Sequence, residues 1–204
     1  QLKTVLNPLL IEQNGERLFQ EVEMPLVSVL ASMEREGIRI NSDFLNEYSK
    51  KLGSEIVLTE NRIYELAGEK FNIASPLQLG KILFEKLQLD PKAKKTKTGQ
   101  YQTGEDVLQK LSSKSDIVKD ILEFRGLQKL KSTYVDALPA LVNSTTGRIH
   151  TTFNQSIAAT GRLSSTNPNL QNIPIRTEQG REVRKAFIPR DENFLLLSAD
   201  YSQI

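Results

Sequence analysis

Apolar residues recur at helical spacing over residues 19–142 and at strand spacing after that. Phe19, Val22, Leu26, Val29, Leu30 and Met33 predict a helix that Pro25 interrupts and Gly37 ends. Upstream, Val5–Ile11 and the Asn14-Gly15 turn signal read as the tail of a preceding element. Ile38-Arg39-Ile40 reads as a short extended piece. Asn41 or Ser42 can cap a long second helix with the stripe Phe44, Tyr48, Leu52, Ile56, Ile63 and Leu66, closed by Gly68. Ser75-Pro76-Leu77-Gln78 has the pattern of a capping box, followed by Leu79, Ile82, Leu83 and Leu87. A short helix is predicted from Thr103 through Leu111, and a long one from about Asp116 with Ile117, Ile121, Leu122, Leu130, Tyr134 and Leu138 inward. Pro139 is placed to bend its end. After the turn at 143–147, residues 148–155 alternate as a strand does. Arg181–Ala186 reads as a short helix, and 194–199 as a buried strand. Helices first, then strands and loops, predict an α+β fold: an antiparallel helical lobe joined to an incomplete sheet.

The length of 204 residues suits one or two small domains. No apolar run approaches the roughly 20 residues of a membrane span, and no secretory signal is visible. The absence of cysteine excludes disulfides and cysteine–zinc chemistry. Charge is unevenly spread. Residues 1–80 hold 8 basic and 12 acidic side chains, residues 81–131 hold 12 and 7, and residues 132–204 hold 7 and 6. The middle segment, at net +5, is where a polyanion would be met, unless it is only a solvated helical face.

Its most basic stretch is Lys92–Gly99. Lys94, Lys95 and Lys97 can neutralise phosphates, and Thr96 and Thr98 can hydrogen-bond them. The helix start near Thr103 offers backbone amides to another phosphate. Arg162 stands beside Gly161 among small polar residues, where it can approach nucleic acid closely and reach the acceptors of the minor groove. A structural arginine paired with a loop carboxylate is the plainer reading. Asn169, Gln171 and Asn172 are neutral amides in a proline-bracketed loop, able to donate to phosphate, sugar or groove atoms, or simply to make turns. Ser164, Ser165, Arg176, Asn154 and Gln155 are weaker candidates of the same kind. Asp200 follows the apolar run 194–199. A carboxylate there can hold a divalent metal at a sheet rim, or can merely mark a strand-to-turn transition. His150, the one histidine, alternates with Ile149 and Thr151 and reads as structural or surface.

Thr160-Gly161-Arg162-Leu163-Ser164-Ser165-Thr166-Asn167-Pro168-Asn169-Leu170-Gln171-Asn172-Ile173-Pro174 and the final Asp200-Tyr201-Ser202-Gln203-Ile204 resemble the palm of the family A DNA polymerases, of the bacterial DNA polymerase I type. Lys129–Tyr134 resembles the helix joining thumb to palm, and the Lys-Thr-x-Thr-Gly loop resembles the thumb tip. The resemblance implies template-directed transfer of a nucleotide from a deoxynucleoside triphosphate to a primer 3′-hydroxyl, in replication and repair. It implies Asp200 as the catalytic carboxylate binding two Mg²⁺ ions, with the backbone carbonyl of Tyr201 as a further metal ligand and Gln203 at the nucleotide. It implies Arg162 in the minor groove at the primer terminus, and Lys131, Ser132 and Thr133 facing the DNA backbone. Two departures stand out: Gln102-Thr103-Gly104 replaces the usual Ser-Thr-Ser or Ser-Thr-Asp, and Ala158 stands where threonine is common.

On this reading residues 1–18 end an exonuclease-like domain and 19–40 lead into the thumb. The thumb is 41–130 with its tip at 92–104, and 131–204 begin the palm. Gln1-Leu2-Lys3 is no natural start, so both ends are expected to be boundaries within a longer chain. The protein is expected to be a monomer in the bacterial cytoplasm, at the nucleoid, with primer–template DNA as partner. The piece by itself is expected to be inactive. A non-catalytic, sequence-independent duplex-binding module is the rival reading. A helical protein-interaction domain is a third, which leaves the polar loop 160–174 and the lysine tip without a purpose.

Overall fold

A computed structural model describes residues 1–199, 201 and 202. Its helices are α1 (Leu2–Glu12), α2 (Glu16–Leu18) and, after a π turn over Phe19–Glu23, α3 (Met24–Glu36). Strand β1 (Arg39–Ile40) precedes α4 (Ser42–Ala67) and α5 (Pro76–Gly80), which continues as a π turn over Lys81–Lys86. Then come α6 (Glu105–Ser112), α7 (Asp116–Leu130), a π turn over Lys131–Val135, and α8 (Ala137–Ala140). Strands β2 (Thr152–Asn154) and β3 (Ser164–Thr166), helix α9 (Glu178–Arg184) and strand β4 (Phe187–Ile188) complete it. The class is α+β: helices with two small antiparallel sheets. No described helix is long and apolar enough to cross a membrane.

The chain forms two compact units. One comprises residues 43–137. Its core gathers Ile63 from α4, Leu79, Leu83 and Phe84, Leu108 from α6, and Val118 and Ile121 from α7. Leu79, Leu83, Leu108, Val118 and Ile121 are fully buried, each worth roughly 1.5–3 kcal/mol over exposure. The α4 stripe runs Leu45, Tyr48, Leu52, Thr59, Ile63 and Ala67. Tyr48, Leu52 and Ile63 are buried as predicted, while at the two ends Leu45 takes the place of Phe44 and Ala67 that of Leu66, which is 47 % exposed. Arg62 on α4 reaches Asp120 at 3.1 Å and Glu123 at 3.0 Å on α7. These pairs are exposed enough to add little stability. Ser75 caps α5 through Gln78 N, as predicted, but Gln78 Oε1 accepts from Asn72 N at 2.7 Å, so the reciprocal half of the capping box closes further back.

The other unit joins residues 1–42 with those from 138 onward. Leu2–Glu12 is helical, and none of its residues is buried. Pro25 cannot donate to the carbonyl four residues back, and the helix winds as a π turn immediately before it. Gly37 ends α3 at φ +66, as the sequence implied. β1 pairs with β4, Arg39 opposite Ile188 and Ile40 opposite Phe187. β2 pairs with β3, Phe153 opposite Ser165. Leu30, Ile40, Ile149, Ile173, Val183 and Ala186 are buried here. The expected buried strand at 194–199 is absent. Those residues form no ladder, and Leu195 and Leu197 are each 92 % exposed. An apolar run becomes a buried strand only with a hydrogen-bonding neighbour and a covering layer, and among the described residues it has neither.

A candidate nucleic-acid interface

Two buried hydroxyls build the Arg162 loop from beneath. Thr151 Oγ1 lies 2.7 Å from Ser165 Oγ and donates within reach of the Thr166 and Pro168 carbonyls, at 3.0 and 2.8 Å. Ser165 Oγ accepts from Leu170 N at 3.1 Å. The strand pair is thereby tied to the chain that follows it. Asn169 Oδ1 accepts from the backbone of Gln171 and Asn172 at 3.0 and 3.3 Å, a local turn that rounds off the loop. Gln171 Nε2 donates to Leu163 O at 3.1 Å, joining the two ends of the loop. Gly161 has φ +75, a left-handed bend that costs a side-chain-bearing residue about 1–2 kcal/mol. The result is a polar rim with Arg162, Asn169, Gln171 and Asn172 all exposed.

Ser164, singled out in the sequence, has a buried hydroxyl with no hydrogen-bond partner among the described residues, while Ser165 forms the inner hinge of the loop. Thr151 and Glu34 were missed altogether. Glu34 Oε1 accepts from Phe153 N at 2.6 Å and Glu34 O lies 2.7 Å from His150 Nδ1. A carbonyl only accepts, so Nδ1 carries the proton. Nε2 faces Thr146 Oγ1 at 2.7 Å. The lone histidine is thus a structural strut. Gln155 Nε2 reaches Glu23 O and Oε2 at 3.0 and 2.6 Å.

In the unit of residues 43–137, the basic tip is a small hairpin. Lys95 bridges Tyr101, Gln102 N donates to Lys94 O, and Gly99 N donates to Thr96 O. Tyr101 anchors it: its ring lies 5.1 Å from that of Phe84, and a Cβ on Gly80 would meet the Tyr101 Cβ at 2.9 Å. Lys95 Nζ sits 4.4 Å above the Tyr101 ring. Lys94, Lys95, Thr96, Lys97 and Thr98 are all exposed. Thr96 and Thr98 share a hydroxyl contact of 2.9 Å. Thr103 is only 6 % exposed, so what it offers a phosphate is the backbone at the start of α6 rather than its hydroxyl. Its carbonyl accepts from Arg125 at 2.6 Å, and burial pulls that guanidinium below its ordinary pKa.

Lys131, Ser132 and Thr133 lie on the π turn after α7. Lys131 is already engaged: its Nζ lies 2.7 Å from Asp136, whose other oxygen accepts from Ser49. Burial pushes the Asp136 carboxyl up, but hydrogen bonds from Lys131 and Ser49 outweigh it and hold the group below the usual carboxylate range. Ser132 Oγ donates back to Gln128 O at 2.8 Å. Thr133 is exposed.

Asp200 and Gln203 lie outside the described residues. Tyr201 is 84 % exposed. Among the described residues no group of three or more metal-ligating side chains comes together.

The model of DNA polymerase family A matches residues 42–204. The chain is 55 % identical over 190 residues to DNA polymerase I of Synechocystis sp., covering 93 % of this chain and 19 % of that protein. It is 52 % identical over 189 residues to DNA polymerase I of Geobacillus stearothermophilus, covering 93 % and 21 %. The chain thus spans about a fifth of the length of these relatives. A solved structure described as the POL domain of Pol1 from M. smegmatis, in complex with DNA primer-template and dNTP, superposes with a TM-score of 0.83. It is 43 % identical, over 93 % of this chain and 33 % of that one.

Proposed function

The chain belongs to DNA polymerase family A, and from that premise we propose that it is the duplex-holding part of a DNA-directed DNA polymerase. Residues 41–130 act as the thumb, and the residues from 131 onward, which carry β2 and β3, act as the beginning of the palm. The observation that carries this reading is the Arg162 loop. Buried hydroxyls hold its frame from within, and the arginine and three amides remain exposed on its rim. Such a rim suits a minor groove. Acceptors at purine N3 and pyrimidine O2 occur in every base pair, so an arginine can test pair geometry without reading sequence. Asn169, Gln171 and Asn172 add uncharged contacts to sugar and phosphate. The exposed lysines of the tip supply the sequence-independent attraction.

The chemistry assigned to this part of the polymerase rests on Asp200, with the Tyr201 carbonyl beside it. These two would contribute to holding a divalent metal, Mg²⁺ in this reading, with further ligands supplied by other carboxylates. When bound, the metal would polarise the reacting phosphate and lower the pKa of the primer hydroxyl. Gln203 stands next to the nucleotide in the same reading. What this chain's own described residues do is bind and orient the duplex, so the piece alone holds DNA without extending it.

The test is a titration of labelled primer–template duplex with these 204 residues at several salt concentrations. Weak, sequence-independent binding that falls steeply with salt is expected. Failure to bind at low salt would remove the duplex-holding role. Metal-dependent primer extension by a clean preparation would show that the reacting groups have been misassigned.

A further inference from the structure

We propose that Glu34 is a positioning residue for the polymerase reaction: it fixes strand β2 and, through the β2–β3 pair, sets where Arg162 stands against the primer terminus. The inference rests on the reading of Arg162 as a minor-groove contact. The hydrogen bonds of Glu34 go to Phe153 and His150, so it would act through the strand.

The geometry is a two-point grip from a single residue. The carboxylate of Glu34 accepts from the Phe153 amide at 2.6 Å, and the main-chain carbonyl of Glu34 accepts from His150 Nδ1 at 2.7 Å. Phe153 lies opposite Ser165 in the β2–β3 pair, and its N–H is directed to Glu34. The carboxylate therefore stands where the carbonyl of another strand would stand, and it satisfies an edge donor that would otherwise need water. An ionised acceptor makes that bond stronger than a neutral carbonyl would. Around this grip, Ile38 and Ile149 exchange backbone bonds of 2.9 and 2.8 Å, and Gln155 holds Glu23. A Cβ on Gly37 would meet Ile149 O at 2.5 Å and the His150 ring at 2.8 Å, so the approach of helix to strand requires glycine.

The residue type argues for a positional role. Glu34 lies in the last turn of α3, where the helix dipole disfavours a negative charge. An acid there weakens the helix slightly, and its use lies across the gap, on the strand. From Phe153 the path is short: Phe153 pairs with Ser165, and Arg162 is three residues before Ser165. A shift in β2 is carried to β3 and so to the arginine. Misplacement by about 1 Å of a group that contacts the reacting end is enough to cost about 100-fold in rate.

The experiment uses the polymerase that contains this chain, in five forms: unchanged, Glu34→Ala, Glu34→Gln, Arg162→Ala, and Glu34→Ala with Arg162→Ala. Single-turnover incorporation is measured on matched and mismatched primer ends, and amide exchange is followed over residues 150–166. Glu34→Ala is expected to slow matched incorporation roughly tenfold, as partial loss of the Arg162 contact to the primer end implies. In the Arg162→Ala background the same change should matter about twofold or less. Glu34→Gln, which keeps an acceptor oxygen, should recover most of the rate. Exchange at Phe153 should quicken in Glu34→Ala while α9 stays protected. Equal losses in both backgrounds, a glutamine variant as impaired as the alanine one, or unchanged exchange would each overturn the proposal. If Arg162→Ala alone changes nothing, the minor-groove reading of Arg162 is what fails. The exchange arm then decides the grip by itself, with faster exchange at Phe153 upholding it and unchanged exchange overturning it.

Discussion

Thr151 Oγ1 and Ser165 Oγ meet at 2.7 Å, both residues buried, and between them they engage the Pro168 carbonyl and the Leu170 amide. Two small polar side chains thus decide the shape of the loop on whose rim Arg162 stands. Removing either takes a partner from partly buried backbone groups, the Thr166 carbonyl for Thr151 and the Leu170 amide for Ser165, at about 1–3 kcal/mol. Ser165→Ala should therefore destabilise the unit that contains it by that amount in a denaturant melt. Ser164→Ala, which removes a hydroxyl that has no partner, should be neutral or stabilising. Equal costs for the two serines would contradict the assignment of Ser165 as the inner hinge.

The lysine tip makes a separate electrostatic prediction. Each phosphate that the tip no longer neutralises should reduce the steepness of log K against log salt by about 0.9. Lys94→Ala, Lys95→Ala and Lys97→Ala together should flatten duplex binding accordingly, with Lys95 contributing less if its stacking on Tyr101 persists in the complex. An unchanged slope would mean that the tip does not touch DNA.

Asp136 restrains Lys131, and its removal should show in two ways. The folded carboxyl lies below its ordinary range, so its contribution to stability is present above the unfolded value and is lost as pH falls below about 4. Asp136→Asn should flatten the stability curve in that acid window only. It also frees Lys131 to meet a phosphate, so the salt dependence of duplex binding should steepen by about 0.9. Acid stability identical to that of the unchanged chain would mean that the Lys131 and Ser49 hydrogen bonds do not persist in solution.

Much of the fold and of the candidate site was legible in the sequence, and the misses have physical reasons. Gly37 and Gly68 end helices where their positions implied, because a left-handed residue favours glycine. The α4 and α7 helices follow from apolar periodicity. The choice between Ser164 and Ser165 could not be read, since strand parity is set by which residue is apolar, and Ser164-Ser165-Thr166 offers none. Lys131 and Asp136 are five apart, a spacing that does not meet on an α-helix. The π turn brings them together, Asp136 N donating to Lys131 O at 2.9 Å. Glu34 and Phe153 are 119 positions apart, and only the folded unit joins them. The 194–199 run shows that apolar composition does not supply a strand with neighbours.

In the complete polymerase, Asp200→Ala should abolish incorporation while duplex affinity stays nearly unchanged. The carboxylate is assigned to metal, and the duplex is assigned to the tip and the Arg162 loop. Rapid-quench incorporation beside an equilibrium binding titration separates the two. Near-normal incorporation would remove Asp200 from the reaction, and a large drop in affinity would give it a role in holding DNA.

The most direct test of Arg162 as the residue that reads the primer end is single-turnover incorporation by the Arg162→Ala polymerase on matched and mismatched primers. One charged hydrogen bond to the primer terminus is worth roughly 1.5–3 kcal/mol, or about one to two decades in rate if felt fully in the transition state. A fall of that size on matched ends is predicted, with an altered ratio of matched to mismatched extension. Unchanged rate and unchanged ratio would contradict the assignment, leaving a family A polymerase whose exposed loop arginine does not read the primer end.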